Sequence, residues 1–272
     1  MKSAEIRWRD AVAPHPINGV GRPVRWPTDP EPGAGARIGR PSVMGQPSTD
    51  LVVERTVAAA GTYLADDFWL LAHDRPDGSS WLSSRTLNSG LAGALLAELV
   101  LAGLLDVQAG RLKLVSEEAP PDSLMHEVLA DLRANPAERD VRTWLDYLAE
   151  QESGDASLRV AERLIRAGIV ERRERRSLLR RAVRYAPLDA RTGWPAVRLQ
   201  SQAHRNAVAP VRDLMLVGLV GATELTRRVF AEHVSHPDTY VWWCVDRQLP
   251  GPLHLLVHEV SAAVGRAAAT PL

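Results

Sequence analysis

The segment that most limits what this chain can become is Gly90–Leu105, GLAGALLAELVLAGLL, whose only ionisable residue is Glu98. A helix apolar on all sides is either buried or crosses a membrane. A crossing takes about 20 such residues, and a carboxylate at its centre costs roughly 2.5–3.5 kcal/mol on insertion. Sixteen residues with a central Glu98 therefore predict a core helix, with Asn88 or Ser89 as its N-cap and Gly103 as its stop. The other apolar run, LMLVGLVGA from Leu214, is shorter still. No transmembrane segment is expected.

Around that helix the periodicity is mainly α. Aromatic residues are only 5% of the chain, so the core is built from Leu, Val and Ala, which favours helices. Leu64, Phe68 and Leu71 have helical spacing. Three amphipathic stretches follow, PPDSLMHEVLADLRA, DVRTWLDYLAEQ and ASLRVAERLIRAG. Four more end the chain, PAVRLQSQAHRNAVA, VRDLMLVGLVGATELTRRVFAEH, PDTYVWWCVDRQ and GPLHLLVHEVSAAVGRAA. Two hairpins interrupt them, LLDVQAGRLKLV turning on Ala109-Gly110 and IVERRERRSLLRRAVRYAP. Residues 1–50 hold eight of the 19 prolines without periodicity and read as a disordered tail, leaving 51–272 as a single globular helical domain. Cysteine occurs once, so no intrachain disulfide forms, and the N-terminus lacks an apolar signal core; a cytoplasmic protein is expected.

Net charge is zero, from 33 basic and 33 acidic residues, yet the charge is uneven. Between Arg159 and Arg184 stand ten arginines and three glutamates. Arg159, Arg163 and Arg166 are spaced i, i+4, i+7 and share one helical face, while Leu158, Val160, Ala161, Leu164 and Ile165 are expected to pack inward. The hairpin that follows adds Arg172, Arg173, Arg175 and Arg176. Such a cluster suits polyanions, either anionic lipid headgroups or nucleic acid. Helix, Ala-Gly stop and hairpin occur twice, a form like a winged helix, so a DNA-binding regulator using 157–185 is the alternative. That helix offers few base-reading side chains, which disfavours nucleic acid.

Catalytic signatures are missing: the chain has no Walker loop, no Gly-x-Ser-x-Gly and no dinucleotide fingerprint. Asp66 and Asp67 are adjacent and point about 100° apart on a helix, so they are not an acid/base pair. Cys244, beside Trp242 and Trp243, reads as core. His254 and His258, with His233 and His236 nearby, have a spacing that helical zinc ligands use, but structural histidines are the favoured reading. No catalytic residue, metal or cofactor is expected.

Taken in order, LADDFWLLAHD, SSW…NSGLAGALLAELVLAGLL and AERLIRAGIV resemble the Golgi phosphoprotein 3 family, from about residue 60 to the end. The resemblance implies a bacterial, actinobacterial member and a mostly helical, non-enzymatic, peripheral membrane protein. It implies binding of phosphatidylinositol 4-phosphate-like headgroups and capture of a protein client. The family's lipid-contacting tryptophan falls on Trp81. Its next arginine falls on Ala92, with Arg85 able to reach the same space. Two further arginines fall on Leu158 and Ala161, with Arg159 one residue away. The resemblance, taken with the arginine face of the 157–166 helix, gives an expected headgroup site of Trp81, Arg85, Arg159 and Arg163. The 169–185 hairpin, through Arg172, Arg173, Arg175 and Arg176, would serve membrane contact and self-association.

Overall fold

The computed structural model describes residues 63–75, 77–120, 122–150, 155–176, 181–188, 193–205 and 209–269. The expected tail and its boundary at residue 50 lie outside the described residues. Ten helices and two hairpins are seen among them. In chain order they are α1 (Leu64–Ala72), α2 (Ser84–Leu101), β1 (Leu105–Gln108), β2 (Arg111–Leu114), α3 (Ser123–Ala134), α4 (Val141–Ala149) and α5 (Ala156–Arg166). Then come β3 (Val170–Arg176), β4 (Arg181–Pro187), α6 (Trp194–Arg205), α7 (Val211–Ala222), α8 (Thr226–Phe230), α9 (Pro237–Gln248) and α10 (Gly251–Ala269). The mainly α reading, with two antiparallel hairpins, is what the structure has.

Helix α2 is the axis. Every residue from Leu87 to Leu99 is buried, and α1, α3, α4, α5, α7 and α10 all pack on it. Gly93 lets α10 close in: a Cβ there would stand 2.3 Å from Val260 Cγ2. Helix α7 is the second core helix, buried from Asp213 to Val220, and Gly218 admits Val257 of α10 in the same way. Among the described residues no helix is long and apolar enough to cross a membrane.

Two expected boundaries are corrected. Helix α2 starts one turn early, at Ser84, because the Ser83 hydroxyl accepts a hydrogen bond from the Thr86 amide. Asn88 and Ser89 lie inside it and are buried. Asn88 still caps a helix, but a distant one: its Oδ1 accepts the Ser157 amide in the first turn of α5, at 3.0 Å. The stretch from Val211 to His233 is also two helices. Glu224 adopts φ +63° and ends α7 before α8 begins.

The repeated helix-to-hairpin form is real down to its hydrogen bonds. After α2, the Gly103 amide bonds Val100 O and the Leu104 amide bonds Leu99 O; after α5, Gly168 bonds Ile165 O and Ile169 bonds Leu164 O. Both are Schellman stops with glycine in the left-handed conformation. The first hairpin turns on Ala109 and Gly110, both at positive φ, with Gln108 opposite Arg111. The second pairs Val170 with Pro187 through to Arg176 with Arg181.

Candidate functional site

Trp81 sits in the connection between α1 and α2, and that connection is tightly built. Its backbone amide donates to Ala72 O at 2.8 Å, and its indole N–H donates to Asp74 O at 3.1 Å. Asp77 accepts from both the amide and the hydroxyl of Ser79, and Arg184 of β4 donates to its carbonyl and carboxylate. These bonds, those from Ser79 first, hold the Asp77 carboxyl well below the usual carboxylate range. Gly78 stands at φ +68°, where a Cβ would lie 2.7 Å from the Tyr185 carbonyl oxygen. The loop is therefore laid directly on β4.

Beneath it, His73 stacks on Trp69 at 3.7 Å and donates from Nδ1 to Trp69 O. Burial pulls its pKa down to about 4, so the ring is neutral. On this base Trp81 is left 40% exposed, with two guanidiniums over its ring: Arg75 at 4.4 Å and Arg228 at 4.3 Å from the centroid. Arg85 is exposed on the first turn of α2, which carries no acidic residue. The exposed indole thus carries two stacked cations, and the N-terminus of α2 with Arg85 follows it within four residues of chain.

The arginines of α5 behave differently. Arg163 is buried, and its guanidinium is held by three carboxylates. Nε bonds Asp66 of α1 at 2.8 Å, Nη1 bonds Asp122 at 2.9 Å and Glu98 at 3.2 Å, and Nη2 bonds Glu98 again at 3.1 Å. The Tyr63 ring lies 4.5 Å from the guanidinium carbon. Burial pushes the Asp66 carboxyl up to about 7 and raises Glu98 as well, against the pull of Arg163. Arg159 pairs with Glu127 at 3.1 Å, and Arg166 donates to Ser123. Val160, Ala161 and Leu164 are buried and Arg166 is exposed, as expected, whereas Arg163 turns inside and Leu158, expected inside, is exposed. The burial of Arg163 has a simple cause: three carboxylates compensate its guanidinium, and no local spacing reveals partners 41 to 97 residues away.

Asp66 and Asp67 do diverge. Asp67 accepts from Arg198 at 2.6 Å and Arg212 at 2.7 Å, in a second network with Asp213. Ala92 and Ala161, at positions where the resemblance has arginine, are completely buried. On the hairpin Arg172 and Arg173 are exposed and Arg173 pairs with Glu171; the side chains of Arg175 and Arg176 lie outside the described ones. Burial pushes the Cys244 thiol up to about 11, as befits a core residue. Sequence reasoning missed Arg75 and Arg228. Arg75, in the same loop as Trp81, was findable; Arg228 comes from α8 and carries no sequence signal.

A family model described as Golgi phosphoprotein 3 (GPP34) matches residues 64–240, well over half of the chain. Comparison with curated proteins found no match.

Proposed function

Because the chain belongs to the Golgi phosphoprotein 3 family, we propose that it is a non-enzymatic peripheral membrane protein that binds anionic phospholipid headgroups at the Trp81 surface. The family points to phosphatidylinositol 4-phosphate-like phosphoinositides as the ligand class. The observation that carries the reading is Trp81 itself: an indole 40% exposed, with Arg75 and Arg228 over its ring and Arg85 in the first turn of the helix that follows. Tryptophan suits the boundary between headgroup and acyl chain, and guanidiniums suit phosphate. The N-terminus of α2 adds its partial positive charge.

Arg163 fixes α5 against α1 and α2 away from this surface, and Arg159 reinforces α5 through Glu127. Arg172 and Arg173 supply an accessory basic contact on the hairpin, which also serves self-association, and the protein as a whole acts as an adaptor for a protein client.

The test is co-sedimentation with phosphatidylcholine vesicles, alone or containing phosphatidylserine or phosphatidylinositol 4-phosphate. Each arginine near an anionic surface is worth about 1 kcal/mol, so Arg75→Glu and Arg228→Glu should each weaken binding at least fivefold. Trp81→Ala should do the same, and added salt should weaken binding further. Binding indifferent to lipid charge and to all three substitutions overturns the reading. Steeply salt-dependent binding to duplex DNA without vesicle binding supports the alternative on 157–185 instead.

A further inference from the structure

The turn at Leu249-Pro250 folds α10 back beside the end of α9 and brings three metal-ligating side chains together. His254 Nε2 lies 3.2 Å from Asp246 Oδ1 and 3.2 Å from His258 Nε2, and His258 Nε2 lies 3.7 Å from the same carboxylate oxygen. All three ligand atoms fall within 4.8 Å of one another. We propose that Asp246, His254 and His258 form a binding site for a divalent transition metal of the zinc, cobalt or nickel class, clipping α9 to α10.

The argument is geometric. Zinc bonds imidazole nitrogen at about 2.0–2.1 Å and carboxylate oxygen at about 2.0–2.2 Å, so the edges of a tetrahedral site are about 3.3–3.5 Å. The three observed separations bracket that length.

The site is also positioned from outside. The Trp242 ring stacks on His258 at 5.6 Å and 24°. Trp242 and Asp246 lie one turn apart on α9, as His254 and His258 do on α10, so the two pairs meet in antiparallel register. Glu259, the neighbouring carboxylate, is engaged by Arg142 at 2.7 Å and is not needed. Two imidazoles and one carboxylate favour a borderline metal over magnesium or calcium, and three protein ligands leave a fourth position open. His233 instead packs edge-on against His204 at 6.0 Å and belongs to a different cluster.

Both histidines are partly exposed, which separates them from buried structural histidines. Their substitution should therefore leave the fold intact, to be checked by circular dichroism. Tag-free, metal-stripped full-length protein is titrated with zinc chloride by calorimetry. Cobalt is added in parallel, to read the visible absorption of a tetrahedral site. The expected result is one ion per chain with a micromolar Kd, weakened at least tenfold by His258→Ala and by Asp246→Asn and unchanged by His233→Ala. Absence of saturable binding by the unaltered protein overturns the proposal. So does one-to-one binding that persists in the His254→Ala/His258→Ala double variant.

Discussion

Arg163→Met removes a buried guanidinium and leaves its apolar stem largely replaced. The side chain makes four hydrogen bonds to Asp66, Glu98 and Asp122, all of which are at most 9% exposed. Deleting one partner from a buried ionic network costs about 3–5 kcal/mol, because the remaining charges stay desolvated. A domain of this kind has about 5–15 kcal/mol in total, so the loss is a large fraction of it. Urea denaturation followed by tryptophan fluorescence reads the change directly. The deficit should also depend on pH. Arg163 lowers the pKa of Asp66 and Glu98, so its removal drives both further above their unfolded values. The variant then keeps those protons to higher pH than the unaltered protein, and its deficit grows as pH rises above about 7. In a Glu98→Gln background the same substitution should cost less, the two sites being coupled. A loss below about 1 kcal/mol, or an equal loss in both backgrounds, would refute a buried role for this arginine.

Other expectations concern the Trp81 loop and the helix stops. Gly78→Ala puts a Cβ 2.7 Å from the Tyr185 carbonyl at φ +68° and should cost about 1–3 kcal/mol, seen as a lowered urea midpoint. His73 has a folded pKa of about 4 against 6.5 unfolded, so the unfolded chain binds the extra proton between these values. Its contribution is present above pH 6.5 and is lost as pH falls towards 4, by up to about 3 kcal/mol. His73→Gln should therefore lose less stability than the unaltered protein over that window in parallel denaturation series. Glu224→Gly relieves a left-handed residue and should add about 0.5–1 kcal/mol of stability, read as a raised urea midpoint.

Local signals were legible and long-range ones were not. The Ala-Gly stops, the turn at Ala109-Gly110 and the all-apolar α2 follow from backbone and burial rules that act within a few residues. Asn88 was expected to cap its own helix, and its actual partner, the Ser157 amide of α5, lies far along the chain. The burial of Arg163 was illegible for the same reason: arginine on a helical face signals solvent unless carboxylates wait on other elements, while Val160, Ala161 and Leu164 pack inward as their spacing says. Trp81 was found through resemblance, while its partner Arg228 is brought by the packing of α8.

The network at Arg163 also bears on how the chain is made. Asp66, Glu98 and Asp122 are synthesised before their common cation, which follows Asp66 by 97 residues. A nascent chain ending short of α5 carries three carboxylates that cannot be brought together in a dry core without it. The first three helices are therefore expected to stay loosely associated on the ribosome and to consolidate only once Arg163 has emerged, even though domains generally acquire structure from the N-terminus onward. One late residue sets the moment at which the early half of the domain can close.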